Sequence, residues 1–221
     1  MKKIFFSIAL VSATVAFAQK KEIAAAVKAI DAGDVAATNS QIAAAEAVMG
    51  GKTYLVEPAV LEQYYYAKGL ALLKSGKNAE GAAYLAKMSE LGKEKIYTGK
   101  DSSKTKVYYV GKAAADQSGI QGLKEDTYVP VLTSRIGNTI NPLIEAANKT
   151  AMNAYTAKNY AAAAPKFKEV YDLLKAGGQD NKQYLYYSGL NYALAEKKDE
   201  AIDVYNQLID SGYTGIQTTY F

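Results

Sequence analysis

The chain has 221 residues, 49% of them hydrophobic and 22% charged, with a formal net charge of +4. That is enough apolar content for one or two globular domains with a real core, and too much for a disordered chain. It has no Cys, His or Trp, so disulfides, the usual general base and the usual metal ligand are all missing. Of 26 basic residues only Arg135 is arginine, which argues against the basic stripe of a nucleic-acid binder.

The first 19 residues, MKKIFFSIALVSATVAFAQ, place Lys2 and Lys3 before a short apolar run and end it with Ala16-Phe17-Ala18. This is the pattern of a secretory signal peptide over 1–18, cleaved before Gln19. The apolar run falls short of the ~20 residues a spanning helix needs. No other segment is apolar enough, so no integral membrane segment is expected. Without a cysteine after the cleavage site, no lipid anchor is expected there either.

A helix pair follows, with Ala26, Ala29, Thr38, Ile42 and Ala45 spaced around the break Ala32-Gly33-Asp34. Gly51-Lys52-Thr53 ends like a phosphate-binding loop, but Glu46 stands where the first glycine of that motif belongs. A glycine helix stop followed by a turn is the expected reading. The next pair spaces Gly69, Leu72, Gly81, Leu85 and Met88 around Ser75-Gly76-Lys77-Asn78.

Residues 96–140 break the helical pattern. KTKVYYV at 104–110 has the β-branched and aromatic content of a strand. TYVPVL at 127–132 is expected as a second strand, which Pro130 confines to an edge or bulge. Ser103-Lys104-Thr105-Lys106 matches the serine–lysine nucleophile motif of penicillin-binding enzymes. That motif needs a helix start and partner motifs which the chain lacks, so a solvated turn is expected.

Helix is expected to restart at Asn141-Pro142, with Asn141 as N-cap and Pro142 in the first turn. Ala151, Ala154, Ala163, Phe167 and Val170 repeat the earlier spacing around Ala157-Lys158-Asn159. Pro165 conflicts with a helix over 159–176, which would then begin later. Asp180 with Gln183 reads as a capping box. Gly189, Tyr192, Ala201, Tyr205 and Leu208 give the spacing again, around Glu196-Lys197-Lys198-Asp199. The carboxylates Asp199, Glu200 and Asp203 suit a helix N-terminus, and no carboxylate cluster has metal-ligand spacing. No cofactor is implied.

The equivalent positions Ala163 and Ala201 lie 38 residues apart, and Thr38 and Gly81 lie 43 apart, a range typical of helical arrays. A larger repeat offsets 65–85 against 185–205 by 120 residues, with Tyr97-Thr98-Gly99 and Tyr213-Thr214-Gly215 after the respective copies. The second tail stops at Phe221 where the first continues, which reads as a fragment of a longer chain or an array without a cap.

On these residues the chain resembles the tetratricopeptide repeat family. The best match is YLYYSGLNYALAEKKDEAIDVYNQLIDS at 184–211, with 64–91 and 148–174 next. Its small-residue positions fall on Gly189, Ala201, Gly69, Ala151 and Ala163, and its second-helix aromatic on Tyr205 and Phe167. No Trp opens a copy, Gly81 replaces an alanine, and the closing proline is absent.

The resemblance implies an all-α, right-handed helical-hairpin solenoid of four pairs with a small β-rich insert near 96–135. Its expected divisions are a first module at 19–95, the insert region at 96–140, a second module at 141–212 and an extended tail at 213–221. By the same resemblance the first helix of each pair lines a groove, placing Tyr66, Lys74, Met152, Tyr155, Tyr186 and Leu194 on or near it. The implied function is that of an exported periplasmic or cell-envelope scaffold, not an enzyme, binding a protein or peptide partner. The 19 tyrosines suit a binding face, because tyrosine combines contact area with a hydroxyl. The main alternative is carbohydrate binding on a tyrosine platform. Against it stand the missing Trp, the missing lipid anchor and the short chain.

Overall fold

A computed structural model describes residues 19–215. The expected signal peptide and the end of the tail at 216–221 lie outside the described residues. The chain divides into two compact units, Met1–Ser134 and Arg135–Phe221. The fold is mostly helical, with one small three-stranded sheet.

The first unit begins with two helix pairs. Helix α1 covers 19–31, α2 Val35–Met49, α3 Pro58–Lys74 and α4 Asn78–Glu90. Asp34 caps α2, its Oδ1 accepting from the Ala37 N–H at 2.8 Å, and Pro58 opens α3 at a position where the missing N–H costs nothing. Gly69 and Gly81 let α3 and α4 cross closely. A β-carbon at Gly69 would meet the Leu85 side chain at 2.7 Å, and one at Gly81 would meet the Gly69 carbonyl at 2.8 Å. Leu85 and Met88 are fully buried in this crossing.

The rest of the unit is the sheet and its connections: β1 Lys95–Lys100, β2 Lys106–Val110, the short helix α5 Lys112–Gln117, and β3 Lys124–Thr127. The strand order is β2-β1-β3, antiparallel throughout. The expected strand at 104–110 is present from Lys106. The expected strand at 127–132 is not, and β1 and β3 occupy segments with weaker strand signals.

Hydrogen bonding explains the difference at 127–132. Pro130 offers no ladder donor, while the Tyr128 hydroxyl and the Leu132 N–H both donate to the buried Glu62 carboxyl group of α3. Pro130 itself lies against Gly92, where an added β-carbon would come within 2.5 Å of the ring. The segment is therefore pinned to α3 and to the end of α4 instead of pairing with a strand.

The second unit is four helices: α6 Gly137–Thr156, α7 Tyr160–Ala176, α8 Lys182–Leu194 and α9 Lys198–Asp210. Each packs on the next. Helix starts depart from expectation in three places. Helix α6 begins at Gly137 and runs through Pro142, so Asn141 is not its cap. Helix α7 begins at Tyr160 in spite of Pro165. Both prolines are exposed and both stand sixth in their helices, so the carbonyl each leaves unpaired is in the first turn. The cap of α8 is Asn181, whose Oδ1 accepts from the Gln183 N–H at 3.2 Å. Asp180 instead accepts from the Tyr171 hydroxyl at 3.1 Å.

The four turns within helix pairs share one hydrogen-bond pattern. In each, two successive N–H groups reach back into the last turn of the preceding helix: Gly33 to Ile30 with Asp34 to Ala29, Gly76 to Leu73 with Lys77 to Leu72, Lys158 to Tyr155 with Asn159 to Ala154, and Glu196 to Ala193 with Lys197 to Tyr192. This is a Schellman-type stop. Its left-handed residue is glycine in the first unit, Gly33 or Gly76, and Lys158 or Glu196 in the second. The same stop also ends α7, through Gly178 and Gln179, and α9, through Gly212 and Tyr213.

Candidate partner-binding face

In the second unit, Phe167 of α7 is buried with Ala151 and Ala163, and Ala154 of α6 packs against the same cluster as Tyr184 and Tyr187 of α8. Helices α6 and α8 thus share one side of α7. Small residues make this possible. Ala151 and Ala163 have no exposed surface; where α8 meets α9, an added β-carbon at Gly189 would meet the Tyr205 ring at 2.9 Å.

From these two helices come four of the residues expected on the groove. Met152 is 47% exposed, Tyr155 43% and Leu194 48%, while Tyr186 is half-buried beside the cluster of Tyr171, Leu185, Val204 and Leu208. Met152 and Tyr155 lie three residues apart on α6, hence on adjoining positions of one face. The Tyr155 ring also contacts Tyr160 across the α6–α7 turn, with centroids 5.9 Å apart.

The two expected residues of the first unit differ. Lys74 is exposed at the end of α3. Tyr66 is a correction: it is 3% exposed, and its hydroxyl donates to Asp31 Oδ1 at 2.8 Å. It belongs to the packing between α1 and α3 and offers no open surface. Its neighbour Tyr64 is buried as well. Helix α3 is covered on more than one side, so tyrosines two apart can both be interior.

Several polar clusters in the first unit went unread in the sequence. The Glu46 carboxylate of α2 accepts from the Tyr64 hydroxyl at 2.5 Å and from Lys68 Nζ. Lys68 also stands over the Tyr84 ring, 4.5 Å from its centroid. Burial alone would raise the Glu46 pKa, but the hydrogen bonds from Lys68 and Tyr64 outweigh it and hold the carboxyl below its usual range. Burial would likewise lower Lys68, yet Glu46 and Tyr84 push it up. Burial and the Tyr84 and Glu90 charges push the Tyr65 hydroxyl up to about 12. These groups lock each other in place. Glu46, Lys68 and Tyr65 are each pushed away from neutrality.

The serine–lysine motif lies in the β1–β2 turn. The Ser103 and Thr105 N–H groups donate to Asp101 Oδ1, each at 2.9 Å, and Ser103 is exposed. This is a side-chain-braced turn of the expected solvated kind. Gly50 and Gly51 end α2 with positive φ, as expected for a helix stop. Asp199 and Glu200 occupy the first turn of α9. Among the described residues no group of three or more acidic side chains is placed to hold a metal ion, and no helix is long and apolar enough to cross a membrane.

No protein-family model, curated protein or solved structure matches the chain.

Proposed function

We propose that the chain is an exported, non-enzymatic scaffold of the periplasm or cell envelope. Its helical hairpins would stack as a right-handed, tetratricopeptide-like solenoid and hold a protein or peptide partner. The observation that carries this reading is the exposure of Met152, Tyr155 and Leu194 on two helices that share one side of α7. Large apolar side chains are left in solvent there, two of them one helical turn apart on α6. Thioether, aromatic and branched aliphatic groups together suit an apolar anchor of a polypeptide. The packing of each helix of the second unit on the next supports the repeat reading.

A photo-crosslinking residue placed at Met152 or at Leu194 in the expressed protein tests this. It should give discrete higher-mass adducts in the cell envelope fraction. The same residue at the exposed Asp199, in the first turn of α9, should give few. Equal adducts at all three positions would mean non-specific contact and would remove the proposal.

A further inference from the structure

We propose that the first unit carries a pocket for a small neutral saccharide between its sheet and α5. Strand register aligns its aromatic wall. Glu125 on β3 stands directly opposite Tyr97 on β1, and Tyr97 directly opposite Tyr109 on β2. Residues opposed across antiparallel strands point to the same face, so Glu125, Tyr97 and Tyr109 form one row across the sheet. Tyr54, in the turn before α3, extends the row. Its ring stacks on that of Tyr109 with centroids 5.7 Å apart and planes 12° apart.

Against Tyr97, in the middle of this row, lies a cavity of about 290 Å³, walled by Tyr97, by Ala115 and Asp116 of α5, and by Ile120, Gln121 and Leu123 of the loop that follows. The loop is seated on the sheet. Gly99 of β1 leaves room for Leu123, whose Cδ2 would lie 2.5 Å from any β-carbon there. Ala115 is buried beneath the cavity, which fixes α5 as its second wall.

The lining selects a ligand class. Tyr97 supplies an aromatic wall, and its hydroxyl donates to Glu125 Oε2 at 3.1 Å. Lys112 Nζ holds both Asp116 oxygens, at 2.9 and 3.0 Å, and Lys95 lies 3.4 Å from the other Glu125 oxygen. Both lysines are thus engaged by a carboxylate, and Asp116, the charged side chain of the lining, is already matched, so the pocket offers an ion of either sign no unmatched countercharge. A purely apolar ligand would strip water from these polar groups without replacing their hydrogen bonds, which is costly. A pyranose meets both demands. Its C–H face covers the tyrosine ring, and its neighbouring hydroxyls serve a carboxylate, which accepts, and an amide, which both donates and accepts. The volume is at the small end for ligand pockets and suits a single sugar ring.

The test is a titration of the full chain, isotopically labelled, with glucose, galactose, mannose and N-acetylglucosamine, followed by amide chemical shifts. At least one sugar should give saturable shifts at Tyr97, Asp116 and the 119–123 loop. Tyr97→Ala should weaken that binding about tenfold, the scale of one aromatic contact. Tyr97→Phe, which keeps the ring and the fold, should retain most of it, and Asp116→Asn should weaken it without altering the thermal melt. The proposal falls if none of the four sugars saturates, or if Tyr97→Ala binds as well as the parent.

Discussion

Gly189 of α8 and Tyr205 of α9 are in closest contact where the two helices cross, and a β-carbon at Gly189 would lie 2.9 Å from Tyr205 Cε1. Glycine inside a helix ordinarily costs ~1 kcal/mol against alanine, so the close crossing is what offsets its presence. Gly189→Leu should overpack the site and lose on the order of 1–3 kcal/mol. Gly189→Ala should fail to deliver the usual gain. Urea denaturation of the three proteins checks both. A leucine variant as stable as the parent would mean the crossing opens without cost.

Glu62 ties the 128–132 segment to α3. Its carboxyl group is 1% exposed and takes the Tyr128 hydroxyl and the Leu132 N–H. Glu62→Ala leaves both donors without this acceptor in a buried place, which should cost on the order of 1–3 kcal/mol. Hydrogen exchange should accelerate at Leu132 and its neighbours before it changes in α6 to α9. Unchanged protection at Leu132 would show that the segment is held by its apolar contacts alone.

Much of this architecture was legible in the sequence because helix pairing leaves a periodic trace. The alternation of small residues such as Ala151 and Ala163 with large ones such as Phe167 follows directly from close crossing, and each turn fell where a polar break interrupts it. Helix starts were harder. Pro142 and Pro165 signal a beginning by local rule, but packing of Ile140 and Ala163, both buried, extends the helices back past them. The strand expected at 127–132 failed because its donors go to a side chain 66 to 70 residues earlier, which no local pattern records. Tyr66 was misplaced for a similar reason, since its partner Asp31 is on another helix.

Tyr66→Phe isolates that partner. It keeps the ring buried and removes the hydroxyl that donates to Asp31, so stability should fall by roughly 0.5–1.5 kcal/mol. The helical signal in circular dichroism should stay the same. If the variant melts with the parent, the Asp31 bond contributes nothing net.

The Glu46–Lys68 pair predicts a pH dependence. Glu46 is held below its usual pKa, so its stabilisation is complete above the unfolded carboxyl range and is lost as pH falls through the folded value. Lys68 is held above its usual pKa, so its share is complete below the unfolded lysine value and is lost as pH rises through the folded one. The pair therefore stabilises across neutral pH. The Glu46 side chain is 38% and the Lys68 side chain 21% exposed, so solvent screening limits the effect to about 1 kcal/mol or less. Glu46→Gln should lower the melting temperature at neutral pH, and the gap should close in acid below the carboxylate range. A gap that persists unchanged in acid would assign the loss to packing.

The exposed side chains of α6 and α8 are proposed to serve a partner and not the fold. Met152→Glu combined with Leu194→Glu, in a chain carrying the photo-crosslinking residue at Tyr155, tests this by the yield of crosslinked partner from the cell envelope. The account predicts a large drop in yield with the melting temperature of the crosslinker-bearing parent retained. A yield equal to that parent's, from a variant that folds as well, would contradict it.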